Sequence, residues 1–351
     1  MITPPNINAI DRRTIDVLRA LVSVYLRRGG PVSSQIVVKY GRLKVSSATV
    51  RMVMGRLTDL GLLTQPHSSA GRIPTAAGLR IYIDHLMSPR AVPFDEARQL
   101  TALLKSGNPT AIELMQKASN SLASICHSAA IGRTPCLDDA VVDAIDFMPL
   151  SETRILAVLT LDNHDIHHRV VDVGTVIVAS DLYRAQEQFK ERWAGCQLAE
   201  IRRELRTAVE RGAKVEAANV SVMEVVRSAL AALTGRSRIV VAGRSHVLSA
   251  DVEVGHASSL LQALDNQELL LELLDGIALK DDTQVVIGHE TKISAFEPFT
   301  VVTAPYRDQH NRMGRLAIVG PLRMDYSKAV SWVSYAARAI SGMLEQGVRA
   351  G

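Results

Sequence analysis

The stretch Ser46-Ser47-Ala48-Thr49-Val50-Arg51-Met52-Val53-Met54-Gly55-Arg56-Leu57-Thr58-Asp59-Leu60-Gly61 separates into two faces when projected as an α-helix. Val50, Val53, Met54, Leu57 and Leu60 share one side and need a packing partner, while Ala48, Arg51, Met52, Gly55 and Asp59 form the opposite stripe, with Ser47, Thr49 and Arg56 on its flanks. Ser46 caps the start and Gly61 ends it. Small residues with arginines and hydroxyls suit a helix laid in a DNA major groove. Arg51 reaches a base edge or phosphate, Ser47 and Thr49 donate to phosphates, and the free N–H groups at the helix start favour anions. The same pattern also fits a three-helix bundle whose third helix merely faces solvent.

Upstream, Val17, Leu18, Leu21, Val22 and Tyr25 recur at helical spacing, with Asn8 read as the cap, Asp11 in the first turn and Gly29-Gly30 as the stop. A short helix then begins at Ser33 or Ser34 and ends at Tyr40-Gly41. Downstream, the extended pieces Leu62–Gln65 and Arg72–Thr75 flank a turn-rich tip, as in a β-hairpin wing. Three helices and a wing make a winged helix-turn-helix. The candidate DNA contacts are Ser46, Ser47, Thr49, Arg51, Met52 and Arg56 on the helix, and His67, Ser68 and Arg72 on the wing. Charge agrees: residues 1–90 hold 13 Lys+Arg against 4 Asp+Glu, and the remainder 27 against 32. A basic head on a mildly acidic body is expected to meet a polyanion.

The run Ser46-Ser47-Ala48-Thr49-Val50-Arg51 and the run Gln65-Pro66-His67-Ser68-Ser69-Ala70-Gly71-Arg72-Ile73-Pro74-Thr75, with Gly78, Arg80 and Tyr82, closely resemble the heat-inducible transcription repressor family, HrcA. The chain differs from that family at Met52, Val53 and Arg56. Val285-Val286-Ile287-Gly288-His289-Glu290, Gly314–Pro321 and Arg323-Met324-Asp325-Tyr326 are similar to later family segments. The resemblance implies a GAF-like domain carrying a dimerising insertion. It also implies a homodimer on an inverted-repeat operator of double-stranded DNA, repression of chaperone operons relieved by heat, and the GroEL chaperonin as the partner that keeps the repressor active.

At 351 residues the chain exceeds one ordinary core. Helices are expected at Phe94–Lys105, Pro109–Ala130, Asp181–Arg211, Val222–Leu233 and Ser327–Gln346. Strands are expected at Ala140–Phe147, Arg154–Leu161, His168–Val173, Arg238–Ala242, Gln284–Ile287, Phe299–Thr303 and Leu316–Val319. The expected class is α+β multidomain: a winged helix-turn-helix over 1–88, a GAF-like α/β sheet domain in two parts, 89–180 and 256–351, and a mainly helical dimerisation insertion over 181–255.

No apolar run approaches the ~20 residues that span a bilayer, and Met1 to Ile10 shows no export signal. Cys126, Cys136 and Cys196 are widely spaced and odd in number, as in a reducing cytosol, so a cytoplasmic protein without membrane contact is expected. His164, His167 and His168 could hint at a metal, but alternation sends His167 and His168 to opposite faces and no carboxylate or cysteine spacing completes a cage. Ser245-His246 lacks a nucleophile elbow, and no phosphate-binding glycine loop is present. Neither catalytic residues, nor a metal, nor a cofactor is expected. Two other readings stay open: a winged-helix regulator controlled by a small ligand in the GAF-like domain, and a winged helix that meets protein or RNA.

Overall fold

The computed structural model describes residues 10–67, 70–107, 109–135, 137, 140–162, 166–174, 176, 178–198, 200–201, 203–205, 225–226, 228–230, 238–249, 253–277, 280–309 and 311–345. They fall into two compact units, the first within Met1–Arg133, Ile239–Tyr306 and Arg315–Gly351, the second within Thr134–Arg238 and Arg307–Gly314.

The first unit opens with α1 (Arg12–Arg28), α2 (Ser34–Gly41) and α3 (Ser47–Asp59), followed by a hairpin of β1 (Leu63–Thr64) and β2 (Ile73–Pro74). Helix α1 is capped by Asp11, which accepts the Thr14 amide at 3.0 Å, and stopped by Gly29 at φ 70°. Asn8, the cap expected from the sequence, lies outside the described residues. Helix α2 is capped by Ser33 and ends at Arg42 in a left-handed conformation. On α3, Val50, Val53, Met54 and Leu57 are buried, so the apolar face of the projection is the packed one. Val32 and Arg72 exchange backbone hydrogen bonds at 2.9 Å, which seats the hairpin beside the start of α2.

Next come α4 (Ala76–Ile81), which widens into a π-helical turn over Tyr82–Leu86, then α5 (Phe94–Lys105) and α6 (Ala111–Cys126). A five-stranded sheet follows, formed by β3 (Ala129–Arg133), β7 (Ile239–Ala242), β8 (Gln284–Ile287), β9 (Phe299–Arg307) and β10 (Met313–Pro321) in the order β7-β3-β10-β9-β8. Side-chain alternation along β10 sends Leu316 and Ile318 into one apolar cluster and Ala317 and Val319 into another. The first cluster also holds residues of α5, α6 and the closing helix α11 (Tyr326–Glu345), and runs on without a break into the core of α1–α4. The second holds residues of α8 (Arg244–Ser249), α9 (Val254–Asp265) and α10 (Gln267–Gly276). With both faces covered, the inner strands read as near-continuous apolar runs.

The second unit contains an antiparallel sheet in the order β4-β5-β6 (Val142–Pro149, Arg154–Leu161, Ile166–Asp172) and α7 (Ala179–Trp193). Leu182, Ala185, Phe189 and Trp193 of α7 join Ile145, Phe147, Ile155, Ala157 and Leu159 in a cluster of its own.

Two expectations need correction here. The strands within 140–173, expected in the first part of the GAF-like domain, build a separate sheet, and the second unit begins at Thr134 and not at 181. At its other end it gives way at Ile239 and not at 255, because α8 and α9 pack under the five-stranded sheet. Strand β3 accounts for the difference. Ala129-Ala130-Ile131-Gly132-Arg133 has weak strand propensity and follows directly on a helix. Tertiary packing makes it a strand: it lies between β10 and β7, and a Cβ on Gly132 would sit 2.3 Å from Met115 of α6. Helix α6 therefore stops at His127, at φ 49°, instead of running to Ala130. Helix α7 likewise ends at Trp193, well before Arg211, and Gly195 at φ 80° lets the chain turn back to bridge Val141 through Gln197. Most of the helix expected over 222–233, and the last residue of the one expected to reach Gln346, lie outside the described residues.

Candidate nucleic-acid interface

Helix α3 presents the residues that the projection placed outward. Ala48, Arg51, Met52, Arg56 and Asp59 are exposed, and Met52 leaves 70% of its surface to solvent. Beside Arg51 it gives the polar stripe an apolar contact surface, of the kind that can meet a thymine methyl group. Ser46 accepts the Thr49 amide at 3.1 Å, and the two hydroxyls lie 2.9 Å apart, so both are preset at the helix N-terminus. Ser47 is half-buried at the first helical position, and Arg51 makes no ion pair among the described residues.

The hairpin and α3 enclose an open groove of about 390 Å³ lined by Ser33, Ser34, Arg51, Met54, Gln65 and Arg72, among others. Arg51 and Arg72, 21 positions apart in sequence, thus face one space. Arg72 is anchored: its Nε donates to the Thr58 hydroxyl at 3.0 Å, and its backbone pairs with Val32. His67 is exposed near the hairpin tip and its carbonyl accepts the Ala70 amide at 2.9 Å; Ser68 lies outside the described residues.

Arg56 behaves differently from its neighbours. Its guanidinium donates to the Asp11 carboxylate at 2.9 Å, which ties the last turn of α3 to the cap of α1, and Arg56 does not line the groove. The Thr14 amide and hydroxyl, then the Arg56 charge, hold the Asp11 carboxyl below the usual carboxylate range. A carboxyl lowered in the folded state contributes stability above its unfolded value, near ~4, and loses it as pH falls through the lower native value. Asp11→Asn keeps the cap but not the charge. The stability gap between wild type and this variant, read from denaturant midpoints, is expected to be constant above about pH 5 and to shrink toward zero in acid. A gap that widens in acid contradicts the assignment.

Sequence reading did not single out Ser34 and Gln65, which line the groove, nor the cationic group beside it. Tyr40 is half-exposed, with the Arg28 guanidinium 5.1 Å and the Lys39 ammonium 5.6 Å from its ring centre. Arg42 and Lys44 are exposed in the turn that leads into α3. The positive count of residues 1–90 was a signal for these positions, but it carried no address.

Residues 112–330 match the model of the HrcA protein C-terminal domain, and nearly the whole chain aligns with curated relatives. The heat-inducible transcription repressor HrcA of Mesorhizobium japonicum is 32% identical over 97% of each chain. That of Brucella canis is 32% identical over 98% of this chain and 100% of the relative, and that of Xanthomonas euvesicatoria 31% over 96% of each. The chain belongs to the HrcA family. A crystal structure of a hypothetical protein at 2.2 Å resolution shares the fold, with a TM-score of 0.59 at 21% identity over 96% of this chain and 99% of that one.

The name the HrcA relatives carry is that of a regulator and not of an enzyme. His167 and His168 of this HrcA chain sit on β6 opposite Leu159 and Val158, and His164 lies outside the described residues. No group of three metal-binding side chains occurs among the described residues, and no described helix is long and apolar enough to cross a membrane. Burial pushes the Cys126 thiol up to about 12, which keeps it protonated and a poor nucleophile at neutral pH. Cys136 lies outside the described residues.

Proposed function

We propose that this HrcA-family repressor reads duplex DNA with a winged helix-turn-helix made of α1–α4 and the β1–β2 hairpin. It binds an inverted-repeat operator of chaperone genes as a homodimer in the cytoplasm. The observation that carries this reading is the outward stripe of α3, in which Arg51 and Met52 stand open beside a groove shared with Arg72. Arg51 and Met52 meet base edges; Ser46, Ser47, Thr49, His67, Ser68 and Arg72 meet the phosphate backbone. Arg56 serves through its hold on Asp11, with backbone contact secondary.

Gly55 adds an independent argument. A Cβ at this position would meet nothing within 4 Å, so the fold does not require glycine there. Glycine inside a helix costs about 1 kcal/mol relative to alanine, a cost that makes sense where a groove floor approaches the helix. Gly55→Ala is therefore expected to stabilise the protein by up to about 1 kcal/mol in denaturant unfolding while weakening its binding to operator duplex. Stabilisation with unchanged binding would remove this support.

The five-stranded sheet covered by helices on both faces supports the GAF-like reading of the body, and the unit 134–238 is the dimerising insertion. Its β4–β6 sheet buries one face under α7. The other bears Met148, Leu156 and Val170 in one cross-strand row, then Val158 between Asp146 and His168, then Thr160 opposite Ile166, a mixed surface with large exposed apolar side chains suited to a second copy. GroEL maintains the active fold, as the family resemblance implies. Small losses of stability change the active fraction steeply, which links heat to derepression.

The test is selection of bound sequences from a random duplex pool, followed by fluorescence anisotropy at ~150 mM salt, with and without GroEL. An inverted repeat bound roughly a thousandfold more tightly than its scrambled version is the expected result. Equal weak binding to both, with GroEL present, overturns the reading.

A further inference from the structure

One cluster of charged groups has no part in the contacts proposed above. Arg80 of α4 extends its guanidinium to the turn after β8. Its Nε donates to Glu290 Oε1 at 3.0 Å, its Nη2 donates to Glu290 Oε2 and to the Val285 carbonyl (2.8 Å for the latter), and its Nη1 donates to Asp84 at 3.1 Å. Glu290 is held on its own side as well, since Oε2 accepts the Ile287 amide at 2.8 Å. The carboxylate is thus aimed before Arg80 arrives, and the planar fork meets acceptors on three sides.

Each end of this pair belongs to a rigid element. Helix α4 is bound to the end of α3 and to the hairpin. The Thr75 hydroxyl donates to the Gly61 carbonyl at 2.7 Å, the Thr75 amide donates to the Leu62 carbonyl at 3.1 Å, and Thr75 caps α4 through the Gly78 amide. Directly after Arg80 the helix widens into the π turn Tyr82–Leu86, which buries Ile83 and Leu86 and leaves Asp84 at the surface beside Arg80. A π turn within a helix is often kept for a function. On the other side, β8 pairs with β9 in register from Gln284↔Thr303 to Ile287↔Thr300. A second contact lies nearby, where the Arg323 guanidinium covers Gly29 at the end of α1.

The Arg80 side chain is 21% exposed and that of Glu290 33%. Partly solvated ion pairs contribute little to stability. Three directed hydrogen bonds from Arg80 to Glu290 and Val285 fix an angle far better than they add stability, and the bond to Asp84 orients the guanidinium on its own helix. We infer that Arg80 is a positioning residue for DNA reading: its fork sets the angle of the α1–α4 head on the five-stranded body, and so the spacing of the two reading helices in a dimer. This rests on the proposed dimeric reading of an inverted repeat, where the half-site spacing mirrors the protein.

The experiment compares wild type, Arg80→Lys and Glu290→Gln as full chains on three probes taken from the selected operator. These are the intact repeat, the repeat with its half-sites moved by about five base pairs (roughly half a helical turn), and a single half-site. Wild type is expected to lose at least about tenfold when the spacing changes, because the second head no longer binds at high effective concentration. Each variant is expected to lose about tenfold on the intact repeat, to respond less to spacing, and to hold its half-site affinity within about twofold. Equal losses on the intact repeat and the half-site, or no loss on either, overturn the inference. Wild-type indifference to spacing also overturns it, and that measurement needs no variant to fold. Failure of the underlying reading looks different: wild type would then not prefer the repeat to its scrambled version.

Discussion

Arg51→Ala should weaken binding to the selected inverted repeat by about 1–3 kcal/mol, and should relax the preference at one base pair of each half-site. Arg51 is exposed on the first half of α3 and makes no ion pair among the described residues, so its guanidinium is available to a guanine edge. The two other arginines of this region are expected to give different signatures. Arg72 spends its Nε on Thr58 and holds the hairpin against Val32 through its backbone. Arg72→Ala should lower affinity for selected and random duplexes alike and reduce the salt slope by about one. Arg56 is engaged by Asp11, so Arg56→Ala should leave the base preference intact. Anisotropy with each base pair of the half-site varied in turn distinguishes the three. If Arg51→Ala and Arg72→Ala changed the selected and random duplexes by the same factors, the division between base and phosphate contact would be wrong.

The head was legible because its signals are local. Ser33, Ser46 and Gly29 sit where caps and stops belong, and the apolar positions of α1 and α3 recur with helical spacing. The body was legible in its elements and not in their grouping. The alternation that identifies β4, β5 and β6 says that one face is buried, but not against what, so a three-stranded sheet with its own helix looks the same as part of a larger sheet. Strand β3 was hidden because Ala129 and Ala130 follow helix α6 without a break in composition, and its conformation is set by pairing with β10 and β7, which are distant in sequence. At the candidate interface, the sequence placed Arg51 on the outward stripe, Arg56 on its flank and Arg72 on the wing, but not the partners that engage Arg56 and Arg72. Those partners are far along the chain: Asp11 lies 45 residues from Arg56, and Thr58 lies 14 from Arg72. The Arg80–Glu290 pair spans 210 residues, beyond any pattern that a local window can read.

Phe189→Ala should destabilise the second unit by about 3–5 kcal/mol, the range for removing a large aromatic from a packed core. Phe189 is fully buried on α7 and its ring lies 5.5 Å from that of Trp193, centre to centre. It shares a cluster with Ile145, Phe147, Ile155 and Leu159 from the sheet, and that cluster contains none of the residues of the two clusters flanking the five-stranded sheet. The Trp193 indole N–H donates to Glu204 at 2.6 Å, so the ring is pinned and cannot readily move in to fill the space left by the phenyl group. Incomplete relaxation of this kind is what puts such substitutions at the upper end of their range. Because the cores are separate, calorimetry of the variant should show one transition moved down and another near its wild-type temperature. DNA binding should divide the same way. Affinity for a single half-site should persist, since α1–α4 share no apolar cluster with Phe189, whereas affinity for the full repeat should fall if this unit joins the two copies. A single transition lowered as a whole would mean that the two units unfold as one block. Loss of full-repeat and half-site binding in equal measure would place the dimer contact elsewhere.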